Sequence, residues 1–110
     1  MKDDAQIVRL FFAKIKPAFF ELSEAERNEF MVKDRANLDE LGMKAISMIQ
    51  CGEMDDDWDY IGVEGWSSKG AIKQREEFEN TVLQLSKYVT YKTHLGLEES
   101  FEDYGKQSKT

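Results

Sequence analysis

The chain has 110 residues, 34% of them charged and 41% hydrophobic, with a formal net charge of -7, one proline and one cysteine. That length suits a single core, and this apolar share excludes a disordered chain. Nucleic-acid binding draws on clustered Lys and Arg, so the acidic balance argues against it. No apolar run approaches the roughly 18 residues of a membrane span, and the first residues carry too short a run for a signal-peptide core. The lone Cys51 leaves no intramolecular disulfide and no multi-cysteine zinc site, so a reducing, cytoplasmic setting is expected.

Residues 6–15 (QIVRLFFAKI) are rich in β-branched and aromatic types and stop against Lys16-Pro17, which predicts a strand. One face carries Ile7, Arg9, Phe11, Ala13 and Ile15, the other Val8, Leu10, Phe12 and Lys14, so both are largely apolar. A sheet covered on one side only would alternate more cleanly. Residues 17–22 form an approach to a helix. Ser23 and Glu26 make a capping box, and Phe30 or Met31, Leu38 and Leu41 recur at helical spacing up to Gly42, suited to a left-handed cap.

The first helix is therefore expected over 24–41. Residues 44–51 (KAISMIQC) predict a second strand and the acidic stretch 52–57 a turn. Residues 58–66 (WDYIGVEGW) predict a third strand whose interior glycines suggest a bulge or a close backbone approach. Ser67 or Ser68 can cap a second helix running to about residue 87, with Phe78, Val82 and Leu85 on its apolar stripe. Residues 88–95 (YVTYKTHL) alternate as a fourth strand. The remainder is polar, with Phe101 and Tyr104 as the two rings expected to dock it. One domain is thus expected over 1–96, followed by a tail over 97–110.

The order β-α-β-β-α-β with a central hairpin is the ferredoxin-like arrangement, an α+β fold with a four-stranded antiparallel sheet and both helices on one face. The other face is then bare, and an apolar bare face calls for a second sheet. A homodimer is expected on that ground. In order and length, residues 6–96 resemble the dimeric α/β-barrel superfamily, in which two such subunits pack sheet on sheet around a cavity. Within them Pro17-Ala18-Phe19-Phe20-Glu21-Leu22-Ser23, then Glu26-Arg27 and Phe30, resemble the strand-to-helix junction of the darcynin-like bacterial proteins of uncharacterised function. The superfamily includes cofactor-independent monooxygenases, lactone isomerases, haem-degrading oxygenases and chlorite dismutase-like haem proteins, so the resemblance implies a small apolar ligand without naming it. Haem-degrading members place a His near the second helix; here that helix has none, which argues against that activity. No cofactor and no metal is assigned.

His94 is the only histidine and ends the fourth strand, where an imidazole can act as general acid or base. The plain alternative is an exposed strand-end residue. Along the third strand Tyr60, Glu64 and Trp66 share one face at period two. Two aromatics flanking a carboxylate can line an apolar cavity and raise the Glu64 pKa, making it a proton carrier. Cross-strand packing, with Glu64 paired to a Lys or Arg across the dimer, explains the same pattern. Arg9 falls between Ile7 and Phe11, an odd place for a guanidinium: it can anchor an anionic substrate group or form an interface salt bridge to Glu64 or Asp59.

Glu53, Asp55, Asp56, Asp57 and Asp59 invite a calcium reading, but counted from Asp55 the glycine position holds Tyr60 and the twelfth holds Trp66, so a solvated turn is the better account. Cys51, Ser67 and Ser68 lack the neighbours a nucleophile needs.

Two functions follow. In one, an apolar or aromatic molecule is held by Arg9, Phe11, Tyr60 and Trp66 and is oxidised or isomerised without a cofactor, Glu64 or His94 moving the proton. In the other, the domain is a non-enzymatic homodimeric interaction or regulatory module. An open cavity beside Glu64 and His94 favours the first, and a filled interior the second.

Overall fold

The computed structural model describes residues 6–108. Strand β1 (Ile7–Ile15) leads through Pro17 into a short helix, α1 (Pro17–Glu21), and then into the long helix α2 (Glu24–Glu40). Pro17 sits at the first helical position, where its missing N–H is no loss. The expected capping box closes at Ser23. Its hydroxyl accepts the Glu26 N–H at 3.1 Å, and its own N–H donates to Glu26 Oε1 at 2.9 Å. Gly42 ends the turn after α2 at φ +79°, with the Met43 N–H reaching back to the Leu38 carbonyl at 2.9 Å.

Strands β2 (Lys44–Gln50) and β3 (Tyr60–Trp66) form the central hairpin, followed by helix α3 (Lys69–Thr81), strand β4 (Val89–Leu97) and helix α4 (Phe101–Ser108). The sheet is antiparallel throughout, in the order β2-β3-β1-β4. The fold is the expected ferredoxin-like one. A bulge between Ala45 and Ser47 lies on β2, opposite the glycine-bearing strand. At Gly65 an added Cβ would fall 2.3 Å from Gln6 Oε1, which is the close approach that strand 3 implied.

Three expectations are corrected. The second helix stops at Thr81 instead of running to residue 87, because a continuous helix would turn Leu83 and Leu85 to different sides. Ending the helix and passing through Gln84 at φ +50° into a single turn over Leu85–Lys87 buries both. The expected stripe residue Val82 is exposed instead. Trp58 lies before β3, not in it, and its ring packs on Phe12 at 5.6 Å, on the sheet face opposite Glu64. Finally, the tail carries α4, and its rings do not dock it: Phe101 is 93% and Tyr104 62% exposed.

Two apolar clusters form the interior. Leu38, Trp66 and Ile72 make one; Leu83, Leu85 and Val89 make the other, with Phe11, Phe30, Phe78, Tyr88 and Tyr91 packed against it. The radius of gyration is 16.0 Å, against about 13 Å for a compact chain of roughly 100 residues. Across its shortest dimension the molecule measures 17 Å, the depth of one sheet and one helix layer.

Candidate functional site

Arg9 lies on the helix-covered face of β1, between the two apolar clusters, and its side chain is fully buried. Register explains its first partner: Arg9 stands directly opposite Glu64 across the β1–β3 pair, where side chains on one face meet. Its Nε donates to Glu64 Oε1 at 2.7 Å. Its Nη2 donates to Glu79 Oε2 at 2.8 Å from the α3 side. The guanidinium stacks over Trp66 and Phe11, 5.7 and 5.3 Å from their ring centres. Trp66 Nε1 donates to the same Glu64 Oε1 at 3.0 Å.

The chain of charges continues outward. Arg75 Nε donates to Glu79 Oε2 at 2.9 Å, its Nη1 to Asn37 Oδ1 at 3.0 Å, and its Nη2 pairs with Asp34 Oδ1, joining α3 to α2. Two cations alternate with three carboxylates, and every buried side-chain nitrogen and oxygen among the described residues has a hydrogen-bond partner. Burial opposes the charge on Arg9, but the hydrogen bonds it donates to Glu79 and Glu64 and their negative charge outweigh it, so its pKa is raised. The Tyr91 phenol is also pushed up, first by burial and then by the Glu79 carboxylate.

Of the six residues singled out from the sequence, the structure brings Arg9, Phe11, Glu64 and Trp66 together and separates the other two. Tyr60 lies four residues down the same face of β3, where it lines an open hollow of about 340 Å³ with Ile15, Phe20, Gln50, Gly52 and Asp59. His94 pairs with Leu10 on the opposite face of the sheet and sets its ring edge-on to Phe12 at 5.6 Å. Glu64 and His94 therefore cannot share one substrate held in a single subunit. Arg9 does bridge to Glu64, but inside the subunit and not at an interface; its second partner is Glu79, and Asp59 accepts the Ile15 N–H at 2.8 Å instead.

The apolar stripe of the second helix singles out neither Glu79 nor Arg75. A signal was there: Glu79 follows Ile72 by seven residues and so shares its helix face, and a guanidinium in an apolar strand requires a buried counter-charge.

Around Arg9 the space between sheet and helices is filled by Trp66, Ile72, Arg9 and Glu79, each less than 2% exposed. The other sheet face is different. Val8, Leu10, Phe12, Ile61 and Val63 lie on it by register, none is fully buried, and no helix among the described residues covers it. Beside them Lys92 Nζ sits over the rings of Phe12 and Trp58, at 4.9 and 5.4 Å. Among the described residues, no group of three or more His, Cys, Asp and Glu is placed to hold a metal ion, and no helix is long and apolar enough to cross a membrane.

No family model and no curated protein matches the chain. Solved structures do. A chlorite dismutase variant from Candidatus Nitrospira defluvii superposes with a TM-score of 0.67 at 11% identity, over 88% of this chain and 42% of that one. A second chlorite dismutase-like protein gives 0.65 at 14% identity, over 86% and 46%. A variant of SnoaB, a cofactor-independent oxygenase from Streptomyces nogalater, gives 0.52 at 19% identity, over 89% of this chain and 95% of that one. The likeness is one of fold, and the chain spans less than half the length of the chlorite dismutase chains it matches.

Proposed function

We propose that this domain is a homodimeric module whose two copies pack through their uncovered sheet faces, and that its buried charges are structural rather than catalytic. The observation that carries this reading is the contrast between the two faces of one sheet. The helix side around Arg9 is filled and its polar atoms are paired, so it leaves no room for a substrate. The opposite side offers apolar side chains to solvent. Four strands about 4.8 Å apart and about 30 Å long give that face roughly 600 Å², and a stable complex uses about 800 Å² per partner. A dimer is the economical cover for it, since a two-fold axis matches the patch to itself. Light scattering across a concentration series tests it: a mass twice the 12.8 kDa of the chain is expected, and a monomer at every concentration overturns it.

A second reading has its own observation, the hollow beside Tyr60. Phe20, Ile15 and Tyr60 supply apolar walls, and Gln50 and Asp59 supply polar groups, a lining suited to a small aromatic molecule. On this reading the protein is a cofactor-independent oxygenase or isomerase, and Tyr60 rather than Glu64 faces the substrate. Titration with small phenols and quinones, following Trp fluorescence, separates the two: saturable binding lost in Tyr60→Ala supports it, and no binding leaves the module reading alone. The darcynin-like junction forms α1 and the start of α2. There Phe19, Phe30 and Tyr88 pack edge-on within 6.5 Å of one another; the resemblance itself rests on residues 17–23, Glu26, Arg27 and Phe30 alone.

A further inference from the structure

The two edges of the sheet are unequally finished. On β2 every residue is exposed, including Ile46, Met48 and Ile49, and such an edge invites pairing or cover. On the other edge β4 runs out through the exposed Leu95 and Leu97 into α4, where Phe101 and Tyr104 face solvent. A shallow hollow of about 300 Å³ lies between Leu97, Ser100 and these two rings. The first turn of α4 carries Glu102 and Asp103. By register the strand residues of the open face include Lys14, Lys44, Lys92 and His94 and no carboxylate.

Both the missing cover and the missing counter-charge are thus present at the end of β4. The registers also place that end at the same end of the sheet as the start of β2, on the opposite edge, since Leu97 pairs with Ile7, Ile7 with Trp66, and Lys44 with the adjacent Gly65. A two-fold axis parallel to the strands lays β4 of one copy over β2 of the other with those ends together. An axis across the strands would instead carry α4 to the end of the partner's sheet where Asp55, Asp56 and Asp57 lie, carboxylate toward carboxylate. The face alone also falls short of the area a stable complex uses, by roughly 200 Å² per subunit, which a two-turn helix bearing two aromatic rings can supply.

We infer that α4 is a dimer arm: it crosses to the second copy and packs Phe101 and Tyr104 against that copy's Ile46 edge, with Glu102 and Asp103 meeting Lys44. The inference rests on the dimer proposed above and names a segment and a partner site that the sheet faces alone do not require.

The test is a charge exchange read by sedimentation on the full chain. Lys44→Glu alone, and the pair Glu102→Lys with Asp103→Lys alone, should each weaken self-association about tenfold, since like charges then face each other twice per dimer. Mixing the two variants restores both contacts only if α4 reaches across, so a heterodimer as tight as the wild type is expected. If neither variant moves the dimer constant, or if both do and mixing restores nothing, the arm is overturned while the dimer stands. A wild-type chain that stays monomeric removes the dimer itself. Circular dichroism of each variant, all changed at exposed positions, checks that the fold is intact, and Phe101→Ser with Tyr104→Ser gives an uncharged second variant expected to weaken the dimer in the same direction.

Discussion

The two faces of β1 are built from neighbouring residues and do opposite work. Odd-numbered positions turn toward the helices, where Arg9 is sealed among Trp66, Phe11, Glu64 and Glu79. Even-numbered positions turn away and leave Val8, Leu10 and Phe12 without a covering layer. The lesson is that apolarity on both faces means different things on each. On the closed face apolar residues frame a charge network, and on the open face they await a second surface.

The largest expected effect breaks the closed face. Arg9→Ala strands Glu64 and Glu79 and should destabilise the chain by about 3–5 kcal/mol, the usual cost of removing one partner of a buried pair, measured by urea denaturation. Replacing charges together sharpens the comparison. Arg9→Met with Glu79→Leu removes the cation and the more deeply buried of the two stranded carboxylates, leaving Glu64 the Trp66 N–H, so it should recover part of that loss. A double variant as unstable as Arg9→Ala would mean that the network does more than fill space.

Smaller effects lie away from both faces. Ser23→Ala removes the hydroxyl cap of α2 and should cost about 1 kcal/mol in the same assay. Hydrogen bonds from the Ser23 backbone and side chain hold the Glu26 carboxyl below its ordinary value of 4.5. A carboxyl whose pKa is lowered by folding stabilises the fold at pH above its unfolded value and loses that contribution as pH falls through the folded one. Stability should therefore decline on acidification below about pH 4.5, and Glu26→Gln should flatten that part of the profile.

The fold was legible because its signals are local. The capping box at Ser23, the break at Lys16-Pro17 and the glycine after Leu41 each act within a few residues, and together they ordered the elements. The end of α3 was not legible, because what stops it is the burial of Leu83 and Leu85 against Val89, a tertiary demand without a glycine or proline to announce it. The site was half legible. Arg9, Phe11, Glu64 and Trp66 meet because a strand repeats every two residues, and so does the separation of His94, which needed the pairing of β1 with β4 to be seen. Glu79 reaches Arg9 from a helix 70 residues away, with Arg75 bonded behind it, and a polar residue on a mixed helix looks the same whether it faces water or a buried cation.

The most direct test sets adjacent residues against each other. Leu10→Asp places a charge at the middle of the open face, opposite Val63 and His94 in the register. Sedimentation equilibrium of this variant should show a folded monomer of 12.8 kDa under conditions where the wild type, and the Arg9→Met, Glu79→Leu chain, are dimers. A Leu10→Asp chain that associates as the wild type does would contradict the account, for the open face would then not be where the second copy sits.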